Sequence, residues 1–368
     1  MRSTLDELIK DLADLKALVA SIAPVNMVLS GNQDALVQQY VLIRRRFDYA
    51  AFAVALYASF ERFVESLVAA YIRLESQRIR YSDLPQRLTD KHLAVTAELL
   101  WRGRIGERRY AGMSELGAVK NLFECLSGAN PYTLNEAAVI AHDANLRAGE
   151  VDAVFGAAGI EQVCDCVRRA DALLDWYCAT QGLNAPPQDG VKRTVIDERL
   201  KDIVERRNQV AHRGGNPVDL LGVDAMNDAI GFIEAFSKSI FALTVGRYLS
   251  THRVTPEERV ELVLRQGKHD GPFKNRTIVV VEKPAQELFI GQPVFVILES
   301  AGARWGRIQS LRIDDTDVEK VEPGAVAPNG VGVGLGFKYP KNTDSKLVVL
   351  TADDDVVWSP LAAATPAA

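Results

Sequence analysis

Arg207, Asn208 and His212 stand in the stretch Glu205-Arg206-Arg207-Asn208-Gln209-Val210-Ala211-His212-Arg213-Gly214-Gly215, where an amphipathic run ends in a glycine turn. These residue types suit the cleavage of RNA. A neutral imidazole can take the proton of a ribose 2′-OH, and a protonated one can give a proton to the departing 5′-oxygen. A guanidinium can bind two non-bridging phosphate oxygens and stabilise the charge that grows in the transition state. The chemistry calls for no metal and no cofactor, because the nucleophile belongs to the substrate, and it makes RNA the expected partner. Arg206 and Arg213 flank the motif as candidate RNA contacts. Arg44 and Arg45, in the run Arg44-Arg45-Arg46, are further candidates, with a solvated helix face as the alternative reading.

Spacing alone does not select this motif. With 29 arginines and five histidines, chance gives about 0.4 matches to Arg-x-x-x-x-His. The chain has three: Arg87/His92, Arg207/His212 and Arg247/His252. Arg87/His92 follows Leu84-Pro85 and reads as a surface coincidence. Arg247/His252 closes a helix, where cations meet the helix dipole. Only the middle pair has Asn208 after the arginine, Ala211 before the histidine, and the glycine turn. On an ideal helix, positions 207 and 212 lie about 140° apart. Both can reach one phosphate only if the helix loosens near His212 or a second subunit completes the site. On residue chemistry alone, a charged helix end is the competing reading.

The elements that must hold these groups are mostly helical. Apolar residues at three- and four-residue steps predict a helix over Leu5–Ile22, a polar break at Asn26–Gln33, and a long helix from Asp34 to about Gln77. Shorter helices are expected at Asp90–Leu100, Ser114–Leu126, Asn145–Ile160 and Ile160–Thr180. A Pro/Gly loop at Gln181–Gly190 precedes the helix Val191–His212, and a last long helix covers Val218–Arg253. After Glu257 the composition changes to short β-branched runs cut by glycine: Thr277–Val281, Val294–Leu298, Trp305–Ile313, Gly330–Phe337 and Leu347–Thr351. That spacing predicts a small barrel or sandwich. The fold class is therefore α+β multidomain, an all-α bundle followed by a small C-terminal β-barrel. The expected segments are an N-terminal helix at 1–33, a helical domain at 34–255, a linker at 256–273, the barrel at 274–360 and a disordered tail at 361–368.

Composition narrows the function. The 368 residues carry a net charge of −5, which argues against non-specific coating of nucleic acid but allows a local basic cleft. The run Tyr49–Phe60 is too short to span a bilayer, and the N-terminus has no apolar signal core. No membrane association is expected, and a cytoplasmic location is the simplest reading. Four cysteines suggest no disulfide framework. Cys164-x-Cys166 places its thiols on different helix faces, so both read as small buried residues. Arg102, Arg104, Arg108 and Arg109, between Trp101 and Tyr110, could stack and hold single-stranded RNA or be a surface loop. The alternating Gly330, Gly332, Gly334 and Gly336 read as barrel architecture.

The stretch from Glu205 to Gly214 resembles the signature of HEPN domains. Ala58-Ser59-Phe60-Glu61-Arg62-Phe63-Val64, and Asn145-Leu146-Arg147-Ala148-Gly149-Glu150 with Gly159-Ile160, resemble the RiboL-PSP branch of that family. The similarity spans roughly residues 35 to 253. It implies a homodimer with a composite active site that cuts RNA without metal and leaves a 2′,3′-cyclic phosphate, in many members as a toxin or phage-defence effector. By position it makes Arg207 the phosphate ligand, His212 the acid/base, Asn208 the residue that positions them, and Glu61 a further acidic site residue. A second HEPN branch carries a Tyr two places after the His, where its antitoxin attaches nucleotides. Gly214 occupies that place here, so an antitoxin or regulatory partner would be of another kind. Phe289-Ile290-Gly291-Gln292-Pro293-Val294, Ala303–Asp314, Val318-Glu319 and Val331-Gly332-Val333-Gly334-Leu335 resemble the second-domain barrel of translation elongation factors, which implies a binding module. The competing class is a non-catalytic protein that holds RNA or a protein on the Arg207/His212 surface.

Overall fold

The computed structural model describes residues 1–107, 110–142, 144–212, 219–251, 259–265, 272–298, 303–325, 328–340 and 345–350. Arg108, Arg109, the turn at 213–218 with Arg213, His252 and the tail at 361–368 lie outside these residues. The chain divides into two compact units: Thr4–Phe241, and the described residues from Ala242 onward together with Met1–Ser3.

Helices build the first unit. α1 (Arg2–Ser30) runs through Pro24 into the expected polar break. Pro24 has no backbone donor to give to the helix ladder. α2 (Ala35–Ser76) opens at Asp34, whose carboxylate accepts from the amides of Leu36 and Val37 at 2.8 and 3.3 Å, satisfying two of the orphan donors of the first turn. Its C-terminal half buries Phe52, Leu56, Phe60, Phe63 and Leu67, spaced by three or four residues on one face. α3 (Gln86–Trp101), α4 (Glu115–Ser127) and α5 (Glu136–Ile140) follow.

The expected helix over 145–160 begins only at Ala148, as α6 (Ala148–Ala157). The residues before it are drawn onto α2 by a hydrogen bond from the Leu146 amide. The expected helix over 160–180 is two pieces, α7 (Val163–Cys166) and α8 (Asp171–Gln181), joined by a 3₁₀ turn. At the break, the Arg168 carbonyl accepts the Val191 amide at 2.9 Å, and the Arg168 Nε donates to the Val191 carbonyl at 2.7 Å. Arg193, at the start of the helix that follows α8, binds Asp152, Asp165 and Asp197 at 2.8, 2.7 and 2.8 Å and so ties α6 and α7 to that helix. α9 (Arg193–His212) packs along α2 and buries Ile196, Leu200, Ile203 and Val204. α10 (Val223–Thr251) supplies Phe236, which meets Phe60, and Phe232, which stacks on Phe236.

Among the described residues, two helices, Arg2–Ser30 and Val223–Leu249, are long and apolar enough to cross a membrane. The apolar window of α10 is 78% buried within the protein, as a core helix requires, and that of α1 17%.

The second unit is an antiparallel curled sheet. The strands are β1 (Arg259–Leu262), β2 (Ile278–Val281), β3 (Leu288–Phe289), β4 (Pro293–Ile297), β5 (Ala303–Ile313), β6 (Thr316–Val318), β7 (Lys320–Val321), β8 (Val331–Leu335) and β9 (Lys346–Leu350). Their order is β1-β9-β4-β5-β8-β2, with β6 beside β5 and a separate β3–β7 ribbon. Long β5 pairs with β4 through its first half and with β8 through its second, with a register shift between Ile308 and Ser310 where the sheet bends. The continuation of β1 returns to β2 through the Arg265 amide to the Val280 carbonyl at 2.9 Å and the Glu282 amide to the Val263 carbonyl at 3.0 Å. The ends of the sheet thus touch, and a partial barrel encloses Val279, Val294, Leu311, Val333 and Leu347. β1 lies inside 256–273, the stretch expected to be a linker, which corrects that boundary: part of the supposed linker is barrel.

Candidate active site

α9 is helical through His212, so the backbone does not loosen before the histidine. Arg207 and His212 stay about 140° and about 7.5 Å of helix rise apart. His212 is exposed on the last turn; Arg207 and Asn208 are half-buried on the side facing α2. The Arg207 guanidinium lies over the ring of Tyr57, 5.2 Å from its centroid, in the geometry of a cation–π contact. Its Nη1 donates to Asn208 Oδ1 at 3.1 Å. The same oxygen accepts from Asn145 Nδ2 at 3.1 Å, which fixes the orientation of the Asn208 amide.

Tyr57, fully buried on α2, organises the floor of this site. Its hydroxyl donates to Glu61 Oε1 at 2.9 Å and accepts the Leu146 amide at 3.1 Å; Asn145 Oδ1 lies 3.4 Å away. Burial pushes the phenol well above its ordinary range, and the nearby Glu61 charge adds to the rise. The hydroxyl therefore keeps its proton and serves as a donor to the carboxylate. A chain of contacts runs from Glu61 through Tyr57 to Arg207, and from the segment before α6 through Asn145 to Asn208. Tyr57 and Asn145 are the residues that the sequence reading left without a role. The spacing of Tyr57 and Glu61, four apart on one helix face, is the signal that marks the first. Asn145 had no such signal, because its partners are distant in sequence.

The other expected residues fall out as follows. Glu61 sits one hydrogen bond away from the Tyr57 ring that carries Arg207. Arg206 is turned inward, donating to Asp202 Oδ2 at 2.8 Å and to the Tyr49 hydroxyl at 3.1 Å, so its guanidinium is committed to joining α9 to α2 rather than offered to RNA. Arg44 is also buried, paired with Asp48 at 3.0 Å, which corrects its assignment as an RNA contact. Arg45 is exposed. Tyr110 is buried beside Leu99 and Ala138 and offers no stacking face, whereas Trp101 is exposed. Cys164 is buried, but Cys166 is exposed, contrary to expectation.

His92 is not a surface residue. It is fully buried, its Nε2 accepts the Asn135 amide at 3.0 Å, and its Nδ1 meets the Tyr81 hydroxyl at 3.1 Å. Burial lowers its pKa to about 4, so it is a neutral core histidine.

The first unit is thus an all-α bundle that carries a positioned arginine, its asparagine and an exposed histidine on one helix. The RiboL-PSP-HEPN family profile matches residues 3–244, and the chain belongs to that family. No curated protein gives a match to the chain. Family membership points to RNA, cleaved or bound, as what the helical unit acts on.

Proposed function

We propose that the helical unit is a metal-independent endoribonuclease. The observation that carries this reading is the held guanidinium: Arg207 is fixed between the Tyr57 ring and Asn208, on the helix that ends in the exposed His212. A preoriented arginine needs little reorganisation to meet charge developing on a phosphate oxygen.

In the proposed reaction, a neutral His212 imidazole accepts the ribose 2′-OH proton while the 2′-oxygen attacks phosphorus. The bond to the 5′-oxygen breaks, and that oxygen takes a proton from a protonated imidazole. The products are a 2′,3′-cyclic phosphate and a 5′-hydroxyl. Because α9 is continuous, the two groups that serve one phosphate come from two copies, Arg207 and His212 of one facing those of the other. The homodimer with a composite site is thus part of the proposal. Arg45 remains a candidate RNA contact; Glu61 acts through Tyr57 as a positioning residue. We assign the nuclease a cytoplasmic toxin or phage-defence role, restrained by an antitoxin or regulatory partner. The partial barrel, with a cleft of about 580 Å³ bordered by Lys274, Arg312 and Asn329, is its binding module.

The test is to express wild type and His212→Ala in a bacterium and sequence cellular RNA for new ends carrying a 2′,3′-cyclic phosphate. Ends seen only with wild type support the nuclease. If neither protein makes them, and removal of residues 272–368 does not release cleavage, the competing reading of a non-catalytic RNA binder takes its place. Arg207→Ala should then weaken RNA affinity.

A further inference from the structure

Beside this site, the protein gathers the positioning residue Glu61 with Glu65 and His142, two residues that take no part in the proposed reaction. Glu61 and Glu65 lie one turn apart on α2, and His142 follows α5 in the segment that leads to Asn145. One ligand atom from each residue falls within 4.8 Å of the other two. The His142 side chain is only 3% exposed, and its Nε2 lies 2.9 Å from Glu65 Oε1 and 3.9 Å from Glu61 Oε1.

The tautomer gives the cluster its direction. His142 Nδ1 lies 2.7 Å from the Ala144 carbonyl oxygen. A carbonyl only accepts, so Nδ1 carries a proton. In the neutral ring Nε2 then presents a lone pair toward two carboxylates, three electron-rich atoms converging on one point. Such an arrangement is stabilised by a positive charge at that point, and a ring nitrogen whose other nitrogen donates to a backbone carbonyl is the common orientation of a metal-bound histidine. Ligands about 2.1 Å from an ion stand about 3 to 3.5 Å apart, and 2.9 and 3.9 Å bracket that range. Small rotations of two glutamate side chains on a rigid helix would equalise them.

We propose that Glu61, Glu65 and His142 form a binding site for one divalent transition-metal ion. One imidazole and two carboxylates suit zinc or manganese better than calcium or magnesium, and three protein ligands leave a coordination position open. Glu61 Oε1, the oxygen nearest His142, is also the one that accepts from the Tyr57 hydroxyl. An ion here would therefore be separated from Arg207 by two residues, Glu61 and Tyr57, on the chain of contacts that orients it. Metal binding does not depend on the nuclease reading, and its test does not use RNA.

The full-length protein, stripped with a chelator, is titrated with Zn²⁺ by calorimetry and with Co²⁺ by visible absorption. Wild type should bind one ion per chain, with cobalt d–d bands and no sulfur-to-cobalt charge transfer. Glu65→Gln keeps the shape of the side chain and should bind at least about tenfold more weakly; His142→Ala should lose the site. Zn²⁺ should raise the melting temperature of wild type and not of Glu65→Gln, and circular dichroism of each variant checks that it folds. Equal stoichiometry and affinity in wild type and Glu65→Gln would overturn the proposal. So would a wild type that binds no ion.

Discussion

Replacing Tyr57 with phenylalanine separates two things that one side chain does. The ring stays beneath Arg207, so the contact at 5.2 Å survives. The hydroxyl goes, and with it the donation to Glu61 at 2.9 Å and the acceptance of the Leu146 amide at 3.1 Å. A hydrogen bond to a charged group contributes about 1.5 to 3 kcal/mol, the lower end applying here because Glu61 can recover water. Leu146 is fully buried, so its stranded amide costs about 1 to 3 kcal/mol more. The sum is about 3 kcal/mol, against about 1 kcal/mol for an ordinary loss of one neutral hydrogen bond. At about 2 to 4 °C per kcal/mol for a unit of this size, the helical transition should fall by roughly 6 to 12 °C. Far-ultraviolet circular dichroism during heating reads this transition. A fall below about 3 °C would mean that the hydroxyl does not bridge α2 to the segment before α6, and the account of how Asn145 reaches Asn208 would fail with it.

Other outcomes follow from the same geometry. His92 is held neutral with a pKa near 4, below the 6.5 of an exposed imidazole. The unfolded chain therefore binds more protons between these values, and stability should be complete above about pH 6.5 and fall by up to about 3 kcal/mol as the pH drops through 4. Melting across that range should show a flatter acid limb in His92→Gln than in wild type; equal slopes would assign the loss to other groups. Arg193→Leu leaves three carboxylates facing one another and should cost about 3 kcal/mol in denaturant unfolding, with Asp165→Asn costing less. Gly330→Ala forces a side chain at φ +74°, its Cβ 2.6 Å from Val280 Cγ1 and 2.9 Å from the Val281 carbonyl. The barrel should lose about 2 kcal/mol or more, measured as the denaturant midpoint of that unit.

The fold was legible where periodicity is strong. α2, α9 and α10 follow the three- and four-residue apolar steps, and the five expected barrel strands appear within two residues of their predicted limits. β1 was hidden because Arg259-Val260-Glu261-Leu262 is short and half charged, and reads as linker until β9 pairs with it. The broken helix over 160–180 was hidden for a different reason: nothing local stops it. Val191, some twenty residues downstream, exchanges hydrogen bonds with Arg168 inside the break, and such tertiary pairing overrides a passable helical pattern.

The site divides along the same line. Arg207, Asn208 and His212 could be picked out because they share one helix end with a composition of its own. Arg44 and Arg206 show the weakness of counting cations: each is an arginine in a basic run, and each is turned inward to a carboxylate one helical turn away, Asp48 and Asp202. Tyr57, Glu61 and Glu65 are spaced by four on α2, so one face of polar groups was readable there too. What no local pattern could supply is the partner of that face. His142 and Asn145 lie in a short segment between α5 and α6, and only the fold lays it across α2, one residue toward Glu65 and the other toward Asn208. The stripe on α2 then carries two different arrangements within little more than two turns: a neutral phenol under a guanidinium at one end, and an imidazole beside carboxylates at the other. Glu61 belongs to both, so a substitution at Glu61 should disturb Arg207 and the Glu65–His142 cluster together, while Glu65→Gln should disturb the cluster first.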